Sequence, residues 1–466
     1  MEIVAEVRRL RTVRTSSCCA PLLSLLLAGC TVDATPEPGA VARATPLVEQ
    51  ALAQGQAMAL LRQLVTAAPH RLSGSAGAQR AVEWAQAAMT AADLERVRLD
   101  PCQVPHWVRG TVARAQVVAP VAEELKVLAL GGSVATPPEG LEAEVVMVRS
   151  FDELKQLGAA AQGRIVFFNR PMPRVLANTF QAYGQAVDQR GQGAVEAARA
   201  GGVAALVRSM TTALDDFPHT GSMQYDPQVA RVPALAVSTL GAERLATLLR
   251  AGTPVRLRLL ADCATLPDVP SANVLGEIRG RELPDEVVVV GGHLDAWDAG
   301  QGAHDDGAGC VQSIGALRLL RALGITPRRT IRAVLFMNEE NGLRGARAYA
   351  EAHKDEKHFA AIETDRGGFE PKGFDTTLKG PDFVRVQQIV RALEPWGMGA
   401  LIPGGGGADI SVLGPMNVPL FGLIPASSRY FDLHHSDRDR IEEVNERELE
   451  LGAAALAWLA WQLADL

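Results

Sequence analysis

Side chains that ligate metals or move protons recur in the second half of this chain: His293, Asp305, the adjacent Glu339 and Glu340, Asp365 and, further on, His435. Zinc takes imidazole nitrogen and carboxylate oxygen at about 2.0–2.2 Å, and a catalytic zinc keeps one position open for water. Five protein ligands are too many for one such ion. Shared through one bridging carboxylate they divide into two sets of three, the pattern of paired metals about 3.5–4 Å apart. Of the two adjacent glutamates, one can ligate while its neighbour faces the bound water as a general base. Asp295, two residues after His293, has the spacing to accept the other ring N–H of that imidazole and fix its tautomer. The pair Asp305-Asp306 has a simpler reading, because free N–H groups and the helix dipole favour acidic residues at a helix start. His293, twelve residues earlier, and the acidic pair at 339–340 favour the metal reading over it.

These residues need a scaffold that brings them to one place. Val287 to Val290 is an unbroken β-branched run bounded by glycines, which suits a strand buried on both faces. Runs at 332–337 and 360–363 end in Asn338-Glu339-Glu340 and Thr364-Asp365. Three strands would then deliver ligands to one rim, and in open α/β sheets the C-terminal rim is where ligands bind. The stretch Gly300 to Gly309 reads as a loop opening a helix, with Cys310, Ile314 and Leu317 at helical spacing. Glu448 to Leu463, with apolar Leu449, Ala453, Leu456 and Leu459, predicts an amphipathic helix on the sheet.

The segments Gly291-Gly292-His293-Leu294-Asp295-Ala296-Trp297-Asp298, Gly302-Ala303-His304-Asp305-Asp306-Gly307, Asn338 to Gly342 and Leu433 to Asp439 resemble the co-catalytic zinc peptidases. That family includes bacterial leucyl aminopeptidases and the carboxypeptidase Q branch, to which the likeness is closest. It extends to Arg71–Ser75, Val104–Gly110, Gly193–Ala198 and Pro218–Gly221, so it covers the chain from about residue 45 to its end. The resemblance implies an α/β fold: a three-layer zinc-peptidase domain, residues 45–115 and 265–466, with a mostly parallel mixed sheet between helices. Residues 116–264 would be an inserted, β-rich domain similar to the protease-associated domain.

The resemblance also implies two zinc ions per chain. His293 and Asp365 would hold one, Glu340 and His435 the other, and Asp305 would bridge them. Glu339 would be the general base, Asp295 the carboxylate behind the first histidine, and the Asp305–Asp306 peptide bond cis. The family's common Asp-Thr after the last histidine is Asp439-Arg440 here, an altered position behind the ligands. His435 keeps the family interval to Asp439; His434 is then expected to hydrogen-bond substrate or to pack. His304 replaces a usually apolar position and is expected off the metals, since neighbours in sequence rarely share coordination geometry. His219 falls within a shared motif. Gly404 to Gly407 and the following Asp409 resemble a family loop near the site, where glycines would let backbone approach substrate and Asp409 would contact it. A plain surface loop fits the glycines equally well.

The implied activity is hydrolysis of small unblocked peptides, chiefly dipeptides, by a metal-bridging water that Glu339 activates, the same acid protonating the leaving amine. These ligands would serve an aminopeptidase on longer peptides equally well. A glutaminyl cyclase shares the fold but uses one zinc; a receptor-like relative would have lost ligands, and none is missing here. The family suggests a homodimer.

Arg8, Arg9, Arg11 and Arg14 precede apolar Leu22–Leu27 and then Ala28-Gly29-Cys30, which reads as a signal peptide over residues 1–29 with lipidation at Cys30. The apolar core is far short of the roughly 20 residues of a spanning helix, so contact with a membrane would be through the lipid anchor alone. Thr31 favours the outer membrane, facing the periplasm; a soluble secreted protein is the alternative. Residues 30–44, rich in Pro, Ala and Thr, would be a tether. Cys18 and Cys19 leave with the signal and Cys310 lies on a helix's apolar face, so Cys102 and Cys263 remain, expected as a disulfide near the neck of the insert, with two free thiols as the alternative. The net charge of −7 and the lack of a basic cluster after the signal argue against nucleic acid. The length left after the tether suits two domains.

Overall fold

The computed structural model describes residues 36–466. The valine run at 287–290 can bury both faces only inside a sheet, and it forms the middle of the strand Leu283–His293, buried throughout from Val287 onward. Val288 and Val290 enter the core on one face, Val287 and Val289 the core on the other. This strand pairs in parallel with Arg329–Phe336 and Lys357–Glu363, and the latter in parallel with Leu420–Pro425. Across the whole eight-stranded sheet the order is Glu95–Val108, Ala264–Ile278, Arg329–Phe336, Leu283–His293, Lys357–Glu363, Leu420–Pro425, Pro371–Thr376, Ala400–Pro403. Glu95–Val108, Ala264–Ile278 and Pro371–Thr376 join by antiparallel pairing. The sheet is therefore mixed, parallel where the metal-type residues leave it.

Helices Ala308–Ala322 and Glu446–Asp465 pack together over one face, with Pro38–Gln54 and Ala57–Ala67 outside them. The opposite face carries Arg344–Ala352 and the turns of Ile410–Met416, which completes three layers. Asn445 starts the C-terminal helix by accepting the N–H of Glu448. That helix is buried nearly all round, from Leu449 to Ala460, and is not the amphipathic element expected. Its many alanines bury without registering as a strong apolar stripe.

The tether also ends earlier than expected. Residues 38–44 belong to the helix Pro38–Gln54, whose Ala40, Ala44, Leu47, Val48 and Ala51 are buried at helical spacing. Pro38 suits the first turn, where its missing N–H has no intrahelical partner to lose. The expected signal peptide and Cys30 lie outside the described residues.

Between Glu95–Val108 and Ala264–Ile278, neighbouring strands at one side of the first sheet, the chain from Ala113 to Ala261 builds a second eight-stranded sheet with its own apolar core. Four of its strands, Leu141–Val148, Ile165–Phe168, Ala204–Arg208 and Ala234–Val237, are parallel neighbours. Parallel neighbours need long crossovers, and Phe151–Leu157, Asp188–Arg199 and Thr239–Arg250 lie between or beside them as helices. The insert is thus α/β, where a β-rich domain was expected.

Cys102 and Cys263 are free, buried thiols. Cys102 stands opposite Ser271, whereas Cys263 precedes Ala264, which pairs with Val108 at the far end of the same ladder. At about 3.3 Å per residue the two lie roughly 20 Å apart along the strands, beyond the about 7 Å that a disulfide can bridge.

Candidate metal centre

The strand ends deliver their side chains as the sequence suggests. His293 is the last residue of its strand, the turn after Phe336 carries Glu339 and Glu340, and Asp365 follows Glu363 by two residues. Asp305 sits in a tight turn that runs into the helix Ala308–Ala322, and the Asp305–Asp306 bond is cis. His435, with positive φ, follows the one-turn helix Tyr430–Leu433.

Asp305 lies at the middle. Its Oδ1 is 3.2 Å from His293 Nε2 and its Oδ2 3.2 Å from His435 Nε2. Asp365 Oδ1 is 3.3 Å from His293 Nε2, and Glu340 Oε2 is 3.0 Å from His435 Nε2. Two ligands on a tetrahedral zinc with bonds near 2.0–2.1 Å span an edge of about 3.3 Å, so these spacings suit metal ligation. Asp305 Oδ2 is buried without a hydrogen-bond partner, as a ligand atom would be. Glu339 Oε2 lies 4.0 Å from His293 Nε2. Burial above all raises the pKa of Glu339; His293 pulls it back, and Asp365, Glu340 and Asp305 add to the rise.

The neighbours hold this set in place. The Asp306 carboxylate accepts the N–H groups of His293 and Gly309, each at 3.0 Å. Gly292 must lack a side chain, since a Cβ there would lie 2.2 Å from Asp306 Oδ2. Asp439 accepts from the backbone of His304 at 2.7 Å and of Asp305 at 3.0 Å. Its pKa rises to about 7 through burial and the nearby Asp305. Arg71, fully buried, donates to the carbonyls of Leu294, Gln301 and Gly302 at 2.7, 2.5 and 2.7 Å and so clamps the loop between His293 and Asp305.

Several expectations need correction. The atom nearest His293 Nδ1 is the backbone carbonyl of Asp295, at 3.0 Å; the carboxylate is 3.9 Å away. That carboxylate instead accepts the N–H groups of Asn338 and Glu339, at 2.8 and 3.0 Å, because a buried acid takes the donors of the turn facing it. Asp295 thus positions the turn that carries Glu339. Asp409 is fully buried behind the rim with both carboxylate oxygens unpartnered, so it is no cleft contact. Its pKa is held well above the usual range by burial and by Glu363. The glycine run serves Glu363 too: a Cβ on Gly407 would lie 2.1 Å from Glu363 Cδ, so the close approach is to this carboxyl and not to substrate. Arg440 is exposed and bonds Asp437, away from the ligands, so its departure from the family pattern leaves the site untouched.

His304 packs, as expected. It stacks on Phe369 at 4.2 Å, accepts from the Gly368 N–H and faces the carbonyl of Glu443; burial lowers its pKa to about 4. His219 is buried with Nδ1 2.6 Å from the carbonyl of His434. His434 stacks on His435 at 3.4 Å, with its Nε2 3.7 Å from Asp305 Oδ2. His435 Nε2 comes closer, at 3.2 Å from Asp305 Oδ2 and 3.0 Å from Glu340 Oε2.

Above these groups opens a cleft of about 570 Å³. Its walls come from both parts of the chain: Trp107, on the first sheet's strand Glu95–Val108, and Tyr183 and Arg190, on helices of the insert, line it with Glu339, Asp365 and His434. The insert's contribution escaped the sequence reading. Trp107 lies in a segment singled out there, but nothing local marks Tyr183 or Arg190.

Residues 273–459 match the family model "Peptidase family M28". Over 416 residues the chain is 37% identical to carboxypeptidase Q of Bos taurus, across 89% of this chain and 86% of that protein. The chain belongs to peptidase family M28. A crystal structure of a peptidase M28 precursor from Shewanella amazonensis SB2B superposes with a TM-score of 0.88 at 34% identity, covering 92% of this chain and 97% of that one. A zinc aminopeptidase from Bacillus subtilis shares the fold, with a TM-score of 0.64 at 18% identity, over 88% of this chain and 97% of that one. As an M28 peptidase related to carboxypeptidase Q, the chain is a zinc metallopeptidase with a mixed α/β fold.

Proposed function

We propose that this M28 peptidase is a di-zinc exopeptidase that hydrolyses small unblocked peptides, chiefly dipeptides. The observation that carries the reading is Asp305, whose two carboxylate oxygens address two different histidines at 3.2 Å each. His293 and Asp365 would hold one zinc, Glu340 and His435 the other, with Asp305 shared. Bound there, zinc would polarise the peptide carbonyl and acidify water. Glu339 is the base: raised by burial, its carboxylate takes a proton from the attacking water and returns it to the leaving amine. Asp295 fixes that base through the N–H groups of Asn338 and Glu339. His434, which lines the cleft next to His435, would hydrogen-bond substrate.

Elemental analysis of the purified chain, with turnover of a dipeptide panel before and after chelation, tests this. Two zincs per chain and chelator-sensitive dipeptide hydrolysis are expected. One metal or none, without such hydrolysis, overturns it in favour of a cyclase or receptor; turnover confined to longer peptides favours the aminopeptidase. The Cys30 signal adds a lipid-anchored, periplasm-facing location, checked by loss of membrane association in Cys30→Ser. A homodimer, expected from the family, is read by light scattering. Among the described residues no helix is long and apolar enough to cross a membrane.

A further inference from the structure

The two halves of the metal centre are held by different parts of the chain. His293 draws its partners from the loops of the first sheet: its Nδ1 faces the carbonyl of Asp295 at 3.0 Å, and its N–H donates to Asp306. Thr364, next to Asp365, donates its N–H to the carbonyl of Gly291 and its hydroxyl to Gln312. The other half leans on the insert. His435 Nδ1 faces the carbonyl of Thr220 at 3.3 Å, and the Thr220 N–H donates to the carbonyl of His435 at 2.9 Å. Thr220 is itself tied to the insert's strand Val127–Ala129, because its hydroxyl donates to the carbonyl of Ala129 at 2.9 Å.

Glu340 reaches the insert through Trp297. While its Oε2 faces His435, its Oε1 accepts the backbone N–H of Trp297 at 3.1 Å. Trp297 is buried, and the far edge of its ring stands over Gly131 of the insert: a Cβ there would lie 1.8 Å from Cη2 and 2.4 Å from Cζ3. Contact between carbon atoms is comfortable only at about 3.5–4.0 Å. Gly131 does not lie in the left-handed region, so the ring and not the backbone demands glycine. Gly131 and Thr220 belong to one patch, since the Gly131 N–H donates to the carbonyl of Gly221 and the Met223 N–H to the carbonyl of Gly131, each at 2.9 Å. Groups behind a ligand fix its orientation and tune its affinity for metal. We propose that this patch of the insert is the outer part of one zinc site: Gly131, by seating Trp297, and Thr220 position Glu340 and His435, so that zinc in their half, and not in the His293–Asp365 half, depends on the insert. The proposal deepens the di-zinc reading and rests on it. It makes the two halves unequal although each offers one histidine and one carboxylate beside the shared Asp305.

The test measures zinc affinity of the metal-stripped full chain by competition with a chromophoric chelator. Gly131→Ala, whose new methyl displaces the Trp297 ring, should weaken one zinc by about 10- to 100-fold, the usual cost of losing a group behind a ligand, and leave the other unchanged. Glu340→Gln identifies which: the zinc that it leaves in place should not weaken further when Gly131→Ala is added. The double variant Gly131→Ala with Trp297→Phe should recover much of the lost affinity, because phenylalanine lacks the ring atoms that the methyl meets. Equal weakening of both zincs, no weakening of either, or further loss in the Glu340→Gln background would overturn the proposal. Should Gly131→Ala fold poorly, Trp297→Phe alone carries the test, since it empties the seat without a clash; it should weaken one zinc only, and affinities equal to the parent's would overturn the proposal. The two readings separate. Two zincs in the parent that respond alike sink the role of the insert alone. A single zinc in the parent sinks the di-zinc reading, and the role of the insert then stands if that zinc weakens in Gly131→Ala and falls if it does not.

Discussion

In the second sheet, four buried parallel strands end in Val148, Phe168, Arg208 and Val237, and the polar groups at their C-terminal edge answer one another. Arg208 bonds Asn169 and Glu243, Ser209 donates to the carbonyl of Val237, and Ser238 donates to Asp216. In the first sheet the corresponding edge gathers His293, Glu339, Glu340 and Asp365 around an Asp305 oxygen that nothing bonds. Architecture offers a polar rim in both cases. The difference is that one rim is closed by its own residues, while the other is left to be completed by something bound.

Breaking the open rim should therefore cost activity, and breaking the closed one stability. The largest effect is expected from Asp305→Asn, which weakens both halves of the centre: zinc content should fall and dipeptide turnover drop to background, as read by elemental analysis and kinetics. Glu339→Gln should reduce kcat by about 10²- to 10⁴-fold, the usual contribution of a general base, with zinc retained. On the closed rim, Arg208→Met leaves the buried Asn169 oxygen without its donor. It should lower unfolding free energy by about 1–3 kcal/mol with kcat unchanged, as measured by denaturant titration and dipeptide assay. The smallest effect sharpens the comparison away from both rims. His358 is kept neutral by burial and then by Arg332, its pKa lowered from 6.5 to about 4. The unfolded chain binds this proton more readily, so its contribution to stability is full above about pH 6.5 and is lost as pH falls toward 4. Tm should decline over that window, and less steeply in His358→Gln.

What was legible in the sequence follows from range. His293, Asp305, Glu340 and Asp365 each sit within a few residues of a β-branched run or a glycine, so local pattern announced the group and its place at a strand end or turn; His435, after the one-turn helix Tyr430–Leu433, has no such mark. Asp295 and Asp409 looked equally functional, yet their partners are the turn at Asn338–Glu339 and the distant Glu363, which only folding reveals. The helix over 38–44 was obscured because its buried face is largely alanine, which reads as tether when Pro and Thr stand beside it.

Every candidate ligand lies within the stretch that matches the family model, residues 273–459. Arg71 does not, and it grips Leu294 from 223 positions earlier in the chain. Arg109, from the end of the same early segment, holds Asp298. A ribosome therefore releases the clamp long before the loop it will close on, with the whole insert made in between. A fragment begun at residue 273 would carry all the metal-type residues and still lack the grip that sets their spacing, so the unit a cell must inherit intact is the interrupted pair of segments, not the motif-bearing half.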